Sequence, residues 1–314
     1  MGGTAEIGKY GERRIYRPEG TWTLVIRPVQ SHDALLADIR ASERPDGSFR
    51  LWWLGQSGFL LQWQGIHVLL DPYLSDSLTK KYRQTDKPHV RMTELVIDPA
   101  RLSFTDIATS THNHTDHLDA ETLCPILGRN PSLKLVIPEA NRAFVAERLN
   151  IDPAIPIGVD DGASIELSGI RFSGIASAHE TVDRDERGRA KYLGYVLEFG
   201  GWTIYHSGDT VRYEGMAEKL RPFRIDVALL PINGRASERR IPGNLFGGEA
   251  AQLAKDIGAR QVIPCHFEMF EFNTASPDEF IHECERLGQK FKVLRCGEQW
   301  RSWFLSESRV PAGD

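Results

Sequence analysis

Eleven residues set the strongest constraint on this chain. The segment Thr109-Ser110-Thr111-His112-Asn113-His114-Thr115-Asp116-His117-Leu118-Asp119 follows the strand-like Asp106-Ile107-Ala108 and brings three histidines and two aspartates into one stretch. Side chains alternate across a strand with period two, so two histidines one residue apart at a strand end project to one side and can grip one ion together. If the chain then turns into a helix near Ala120, Asp116 and His117 point back to a neighbouring position and can grip a second ion. Imidazole nitrogen and carboxylate oxygen suit zinc, manganese or iron, and the lack of a thiolate removes one bias toward zinc. The competing reading is a polar loop that happens to be rich in histidine.

Three more residues each lie just after a strand-like run, where a rigid scaffold positions functional loops. His179 follows Ile170 to Ala178 and is a candidate to complete the ligand set of His112 and His114; taken singly it is equally an ordinary histidine. Asp209, in Tyr205-His206-Ser207-Gly208-Asp209-Thr210, could bridge two cations, although an Asp after Gly is a common turn residue. His266, in Ile263-Pro264-Cys265-His266-Phe267, could serve the second ion beside Asp116 and His117, or could be a packed, hydrogen-bonded side chain. His206 stays off the ligand set, with a structural role and a role supporting the site from behind both open.

At 314 residues the chain holds one large α/β domain or two smaller ones. A hydrophobic share of 41% and a charged share of 26% are those of an ordinary folded protein. The net charge of -5 supplies no positive field for nucleic acid or anionic lipid, so neither is expected as a partner. The four cysteines form no C-x-x-C pair, which excludes a zinc knuckle and fits a reduced, cytoplasmic compartment. No apolar run reaches signal-peptide or membrane-span length, so neither export nor a membrane span is expected.

Residues 1–49 read as an N-terminal appendage with one helix, Asp33 to Arg40, behind a Ser31 cap; residues 50–314 read as the catalytic domain. Strands are expected at Leu51 to Leu54, Phe59 to Trp63, His67 to Leu70, Ile107 to Thr111, Leu133 to Ile137, Ile170 to Ala176, Tyr192 to Phe199, Trp202 to His206, Val227 to Leu230 and Gln261 to Pro264. Helices are expected at Ala120 to Leu127, Asn141 to Leu149, Glu214 to Leu220, Gly248 to Ile257 and Pro277 to Leu287. Consecutive strands at the beginning and in the middle point away from a doubly wound sheet and toward two sheets sandwiched between helices.

In chain order, His112, His114, Asp116, His117, His179, Asp209 and His266 resemble the ligand series of the metallo-β-lactamase superfamily, over about Leu51 to Trp303. Within it the chain looks most like the L-ascorbate-6-phosphate lactonase branch, on Leu51-Trp52-Trp53-Leu54-Gly55, Ala108 to Asp119, Tyr205 to Asp209, Ile225 to Leu229 and Val262 to Phe267. A similar dinuclear segment occurs in the phospholipase D that acts on N-acyl-phosphatidylethanolamines.

The resemblance implies an α/β fold, the four-layer αβ/βα sandwich, with two divalent ions, Zn or Mn, at one edge between the sheets. By residue match His112, His114 and His179 would bind one ion, Asp116, His117 and His266 the other, and Asp209 would bridge. Two ions sharing a water lower its pKa and supply hydroxide near neutral pH. Asp116 or Asp209 would orient that hydroxide and relay its proton. The implied activity is hydrolysis of a lactone or cyclic ester, with a phosphorylated sugar lactone as one candidate. The alternatives are a phosphodiesterase or phospholipase D-like hydrolase of a nucleotide or phospholipid, and a non-catalytic binding protein that has kept the fold.

The expected partner is a small-molecule substrate, anionic in one reading, and the resemblance adds homo-oligomer assembly. The loop Pro231 to Phe246 departs from the lactonase pattern, and Asn233 and Arg235 within it are the candidate substrate contacts. Arg239 and Arg240 there, and Lys80, Lys81 and Arg83 elsewhere, either hold an anionic group or make solvated charged loops. Trp52, Trp53 and Trp63 are expected in the core rather than on a sugar platform.

Overall fold

The computed structural model describes residues 12–16, 22–42 and 46–308. β1 (Glu12–Tyr16) and β2 (Trp22–Ile26) form an antiparallel ribbon, followed by α1 (His32–Ala41). Leu35, Leu36 and Ile39 of α1 are buried in the same apolar cluster as the main sheets. The helix is therefore packed into the body of the protein. Ser31 stands at the N-cap position, but its side chain makes no capping bond there.

The first half of the remaining chain builds one sheet. β3 (Phe49–Gly55), β4 (Gly58–Trp63) and β5 (Ile66–Leu70) run as an antiparallel meander, and α2 (Ser77–Tyr82) follows. Next come β6 (Ile107–Thr109), α3 (Ala120–Arg129), β7 (Lys134–Pro138), α4 (Arg142–Leu149) and β8 (Ile157–Val159), whose strands add in parallel.

The second half repeats the plan. β9 (Ser164–Leu167), β10 (Ile170–Ala176), β11 (Leu193–Phe199) and β12 (Trp202–His206) meander antiparallel. After α5 (Met216–Leu220), β13 (Val227–Pro231), α6 (Gly247–Asp256) and β14 (Gln261–Cys265) continue in parallel. α7 (Asp278–Leu287) leads to β15 (Gln299–Arg301), which crosses back to pair with β3.

The result is a seven-stranded sheet ordered β15-β3-β4-β5-β6-β7-β8 and a six-stranded sheet ordered β14-β13-β12-β11-β10-β9. Strands buried on both faces need apolar residues throughout rather than alternation, and β3, β4, β13 and β14 are buried at every position. Phe49 of β3 meets Phe199 and Trp202 of the opposite sheet edge-on, with centroids 5.5 and 5.3 Å apart. Trp63 lies 5.2 Å from Phe199, so the two sheets pack face to face on aromatic rings. Trp52, Trp53 and Trp63 are all buried, as their apolar neighbours in sequence led one to expect.

Two expectations need correction. β6 ends at Thr109, two residues early, so His112 and His114 stand on a loop and period-two alternation is not what pairs them. The short elements α2, β8, β9 and β15, three to six residues each, were not anticipated; pieces of that length are too short for a periodic signal. Among the described residues no helix is long and apolar enough to cross a membrane.

Candidate metal centre

The seven candidate ligands lie on loops that follow strands of both sheets. His112, His114, Asp116 and His117 follow β6; His179, Asp209 and His266 follow β10, β12 and β14. The loop after β6 is tied to the other sheet, because Thr111 O accepts the Leu193 amide at 3.0 Å. The Tyr195 hydroxyl adds a bond to Ser110 O at 3.0 Å. These bonds turn the chain off the ladder and bring the His112 and His114 rings to 4.6 Å.

Two groups of donor atoms result. His112, His114, His179 and Asp209 each offer an atom within 4.8 Å of all the others, and so do Asp116, His117 and His266. Asp209 stands between the groups: Oδ1 is 3.2 Å from His117 Nε2, and Oδ2 is 3.4 Å from His179 Nε2 and 3.3 Å from His266 Nε2. His112 Nε2 is buried with no hydrogen-bond partner, and His117 Nε2 and Asp209 Oδ1, though 3.2 Å apart, do not meet in hydrogen-bond geometry. Buried polar atoms are normally paired, so orphaned donor atoms converging on one point fit a cation there. The donor set is imidazole and carboxylate throughout, which suits zinc, manganese or iron.

Electrostatics agree with this reading. Burial holds the His112 imidazole well below its usual range, and its neighbours His117 and His114 push it further the same way. Burial, then His179, brings His114 to about 4. Burial opposes charge on His266 and Asp209 as well, but each stabilises the other: His266 is raised to about 9 and Asp209 falls well below the carboxylate range. His117 is likewise raised, against burial, by Asp209 and Asp116. With no ion bound, two protonated imidazoles neutralise the two carboxylates, and both imidazoles must lose their protons to act as ligands.

Sequence reasoning missed the support beneath this centre. Asp71, at the end of β5, is fully buried and takes His117 Nδ1 at 2.7 Å, Thr111 N at 3.1 Å and Thr109 Oγ1 at 3.1 Å. A carboxylate on Nδ1 leaves Nε2 as the free donor facing the centre. The strand-end rule that singled out Asp209 and His266 applies equally to Leu69-Leu70-Asp71 and would have found it. Gln56, in the β3–β4 turn, donates to Asp116 Oδ2 at 2.7 Å. His206 is buried, touches Ser57 O through Nε2 at 3.0 Å, and is held below its usual range by burial. It packs between the sheets and offers the centre no donor atom.

A cavity of about 260 Å³ opens over the centre, with His114, Asp116, His179, Asp209 and His266 in its wall. Asn233 lines it, as expected, but Arg235 does not. The Arg235 guanidinium is taken by both Glu249 carboxylate oxygens at 2.6 Å, which turns it toward the start of α6. Arg240 pairs with Asp86, and Arg239 is committed to Asn233 O and Thr274 O. The arginines of the divergent loop therefore fasten the loop.

Two mixed sheets, packed face to face and flanked by helices, with a histidine–aspartate centre at one edge, define the metallo-β-lactamase fold. The metallo-β-lactamase fold protein YhfI from Bacillus subtilis superposes with a TM-score of 0.58 at 16% identity, covering 81% of this chain and 99% of that one. A novel metallo hydrolase from the archaeon Ignicoccus hospitalis superposes with a TM-score of 0.60 at 22% identity, covering 81% and 98%. The chain belongs to the beta-lactamase superfamily, whose domain matches residues 50–266. It is also similar to a UPF0173 metal-dependent hydrolase of Rubrobacter xylanophilus, 27% identical over 81% of this chain and 96% of the relative.

Proposed function

We propose that this chain is a metal-dependent hydrolase that cleaves a lactone or related cyclic ester. The observation that carries the reading is the convergence of seven buried or half-buried ligand-type side chains, from both sheets, on one point beneath an open cavity. Its relatives' description as metal-dependent hydrolases supports the same class. Two divalent ions, Zn or Mn, held by these residues would supply Lewis acidity and lower the pKa of water. His112, His114 and His179 would hold one and Asp116, His117 and His266 the other, with Asp209 between the two groups. Asp116 or Asp209 would orient the attacking water and relay its proton as the ester bond breaks.

The cavity wall bears on whether the substrate carries a further phosphate. Among the described residues its cations are Lys81, at the rim, and Arg148. Arg148 Nη1 is bound to Asn113 O at 2.6 Å. A phosphorylated sugar would carry its phosphate away from the ions, where the wall offers little free positive charge. The test is the protein reconstituted separately with Zn and with Mn, assayed on sugar lactones, bis(p-nitrophenyl) phosphate and phospholipids. Lactone turnover alone is expected. Faster phosphodiester turnover would reverse the assignment, and no metal uptake would return the chain to a non-catalytic role.

A further inference from the structure

The cavity over the centre has two unlike faces. One is aromatic. Tyr82 and His89 stack with centroids 4.2 Å apart at an interplanar angle of 18°, and His89 meets Phe272 edge-on at 4.5 Å and Phe270 at 5.2 Å. The His89 ring is fixed by Lys87 O, 3.2 Å from Nδ1; a carbonyl only accepts, so Nδ1 carries the hydrogen. Such a face gains most from a flat apolar partner.

The other face is a chain of amides whose polarity is set from one end. A guanidinium has donors only, and Arg239 Nη1 lies 3.3 Å from the Asn273 side chain, so the near atom of that amide is its oxygen. Asn233 Nδ2 donates to the same oxygen at 2.9 Å, which leaves Asn233 Oδ1 to accept from Asn244 Nδ2 at 3.0 Å. The series ends at Asn244 Oδ1, a buried acceptor with no hydrogen-bond partner on a residue that lines the cavity. Asn244 lines the same cavity as His179, Asp209 and His266, and its neighbour Gly243 holds His179 Nδ1 through its carbonyl at 2.9 Å.

We propose that the cavity selects a small substrate with a flat apolar ring, seated against Tyr82, His89 and Phe272, and an N–H or O–H group next to the scissile bond that donates to Asn244 Oδ1. The proposal rests on the hydrolase reading for the word substrate, and on the two faces alone for the ligand. An unpaired buried acceptor is unfavourable, and a ligand lacking the donor leaves it so, which makes the amide face a selector as well as a contact.

Calorimetric titration of the full chain with three inert amides tests it. N-benzylacetamide carries ring and donor, N-benzyl-N-methylacetamide lacks the donor, and N-methylacetamide lacks the ring. N-benzylacetamide should bind at least about tenfold more tightly than either, a difference readily resolved by titration. Asn244→Ala should abolish its advantage over the N-methylated amide and keep that over N-methylacetamide. Phe272→Ala should do the reverse of Asn244→Ala, with Phe272→Leu as the folded control. Equal affinities for the three amides, or variants that change nothing, overturn the proposal. A preserved preference in a protein that turns over no ester overturns the hydrolase reading instead.

Discussion

Single side chains decide whether this centre can bind anything. Asp209 is the carboxylate both donor groups share, so Asp209→Ala should abolish hydrolysis and lower metal content, read by elemental analysis of the dialysed protein. A fully metallated, fully active variant would sink the assignment. Asp71 touches no proposed ion, yet it accepts from Thr109, Thr111 and His117 in a fully buried setting. Asp71→Asn keeps the shape and loses the charge, and metal affinity should drop by roughly 10–100-fold, as for other partners of metal-binding histidines. Asp71→Ala leaves several buried donors unpaired and should cost about 3–5 kcal/mol of stability by denaturant titration. An Asp71→Asn protein that binds metal as tightly as the parent would show that His117 is oriented by packing alone.

Among the elements, the turn after β12 shows how closely the loops of the two sheets approach. Gly208 has a φ of +60°, and a Cβ there would lie 2.6 Å from Thr111 Cβ. Thr111 is bonded to Asp71, so the intrusion would reach His117 through two contacts. Gly208→Ala should cost about 2–4 kcal/mol from backbone strain and overpacking together, measured by denaturant titration. It should also weaken metal binding; an unchanged Kd would mean that Thr111 yields without moving Asp71.

The same elements show what the sequence made legible. The long apolar strands and the histidine segment were readable, because a strand buried on both faces and a cluster of imidazoles each leave a dense local signal. Most of the cavity wall was not: apart from Asn233, singled out by its divergent loop, Tyr82, His89, Phe270, Phe272, Asn244 and Asn273 come together only through tertiary packing, and none carries a local pattern. Arg235 misled for the same reason, since its partner Glu249 lies on another element.

For the molecule as a whole, the centre links pH, metal and stability. Without ions His266 is raised to about 9, above the unfolded value near 6.5. A raised folded pKa contributes stability that is complete below about 6.5 and is lost as pH rises through about 9. The depressed Asp209 contributes in the opposite sense, and its share is lost as the solution is acidified below the usual carboxylate range. The Tm of metal-free protein should therefore fall between pH 6.5 and 9, while metal affinity rises over the same window as His266 sheds its proton. A metal-free Tm that stays level across that window would contradict the ion-paired arrangement.

The division of the donors between two successive halves of the chain bears on biosynthesis. His112 to His117 leave the ribosome long before His266, which arrives with β14, the last strand to join the edge of its sheet. Until then, on the proposed assignment, the group of His112, His114, His179 and Asp209 would be complete and the group of Asp116 and His117 would still lack His266. Filling of the second group would therefore wait for β14, so the two ions of the proposed pair would enter in order rather than together.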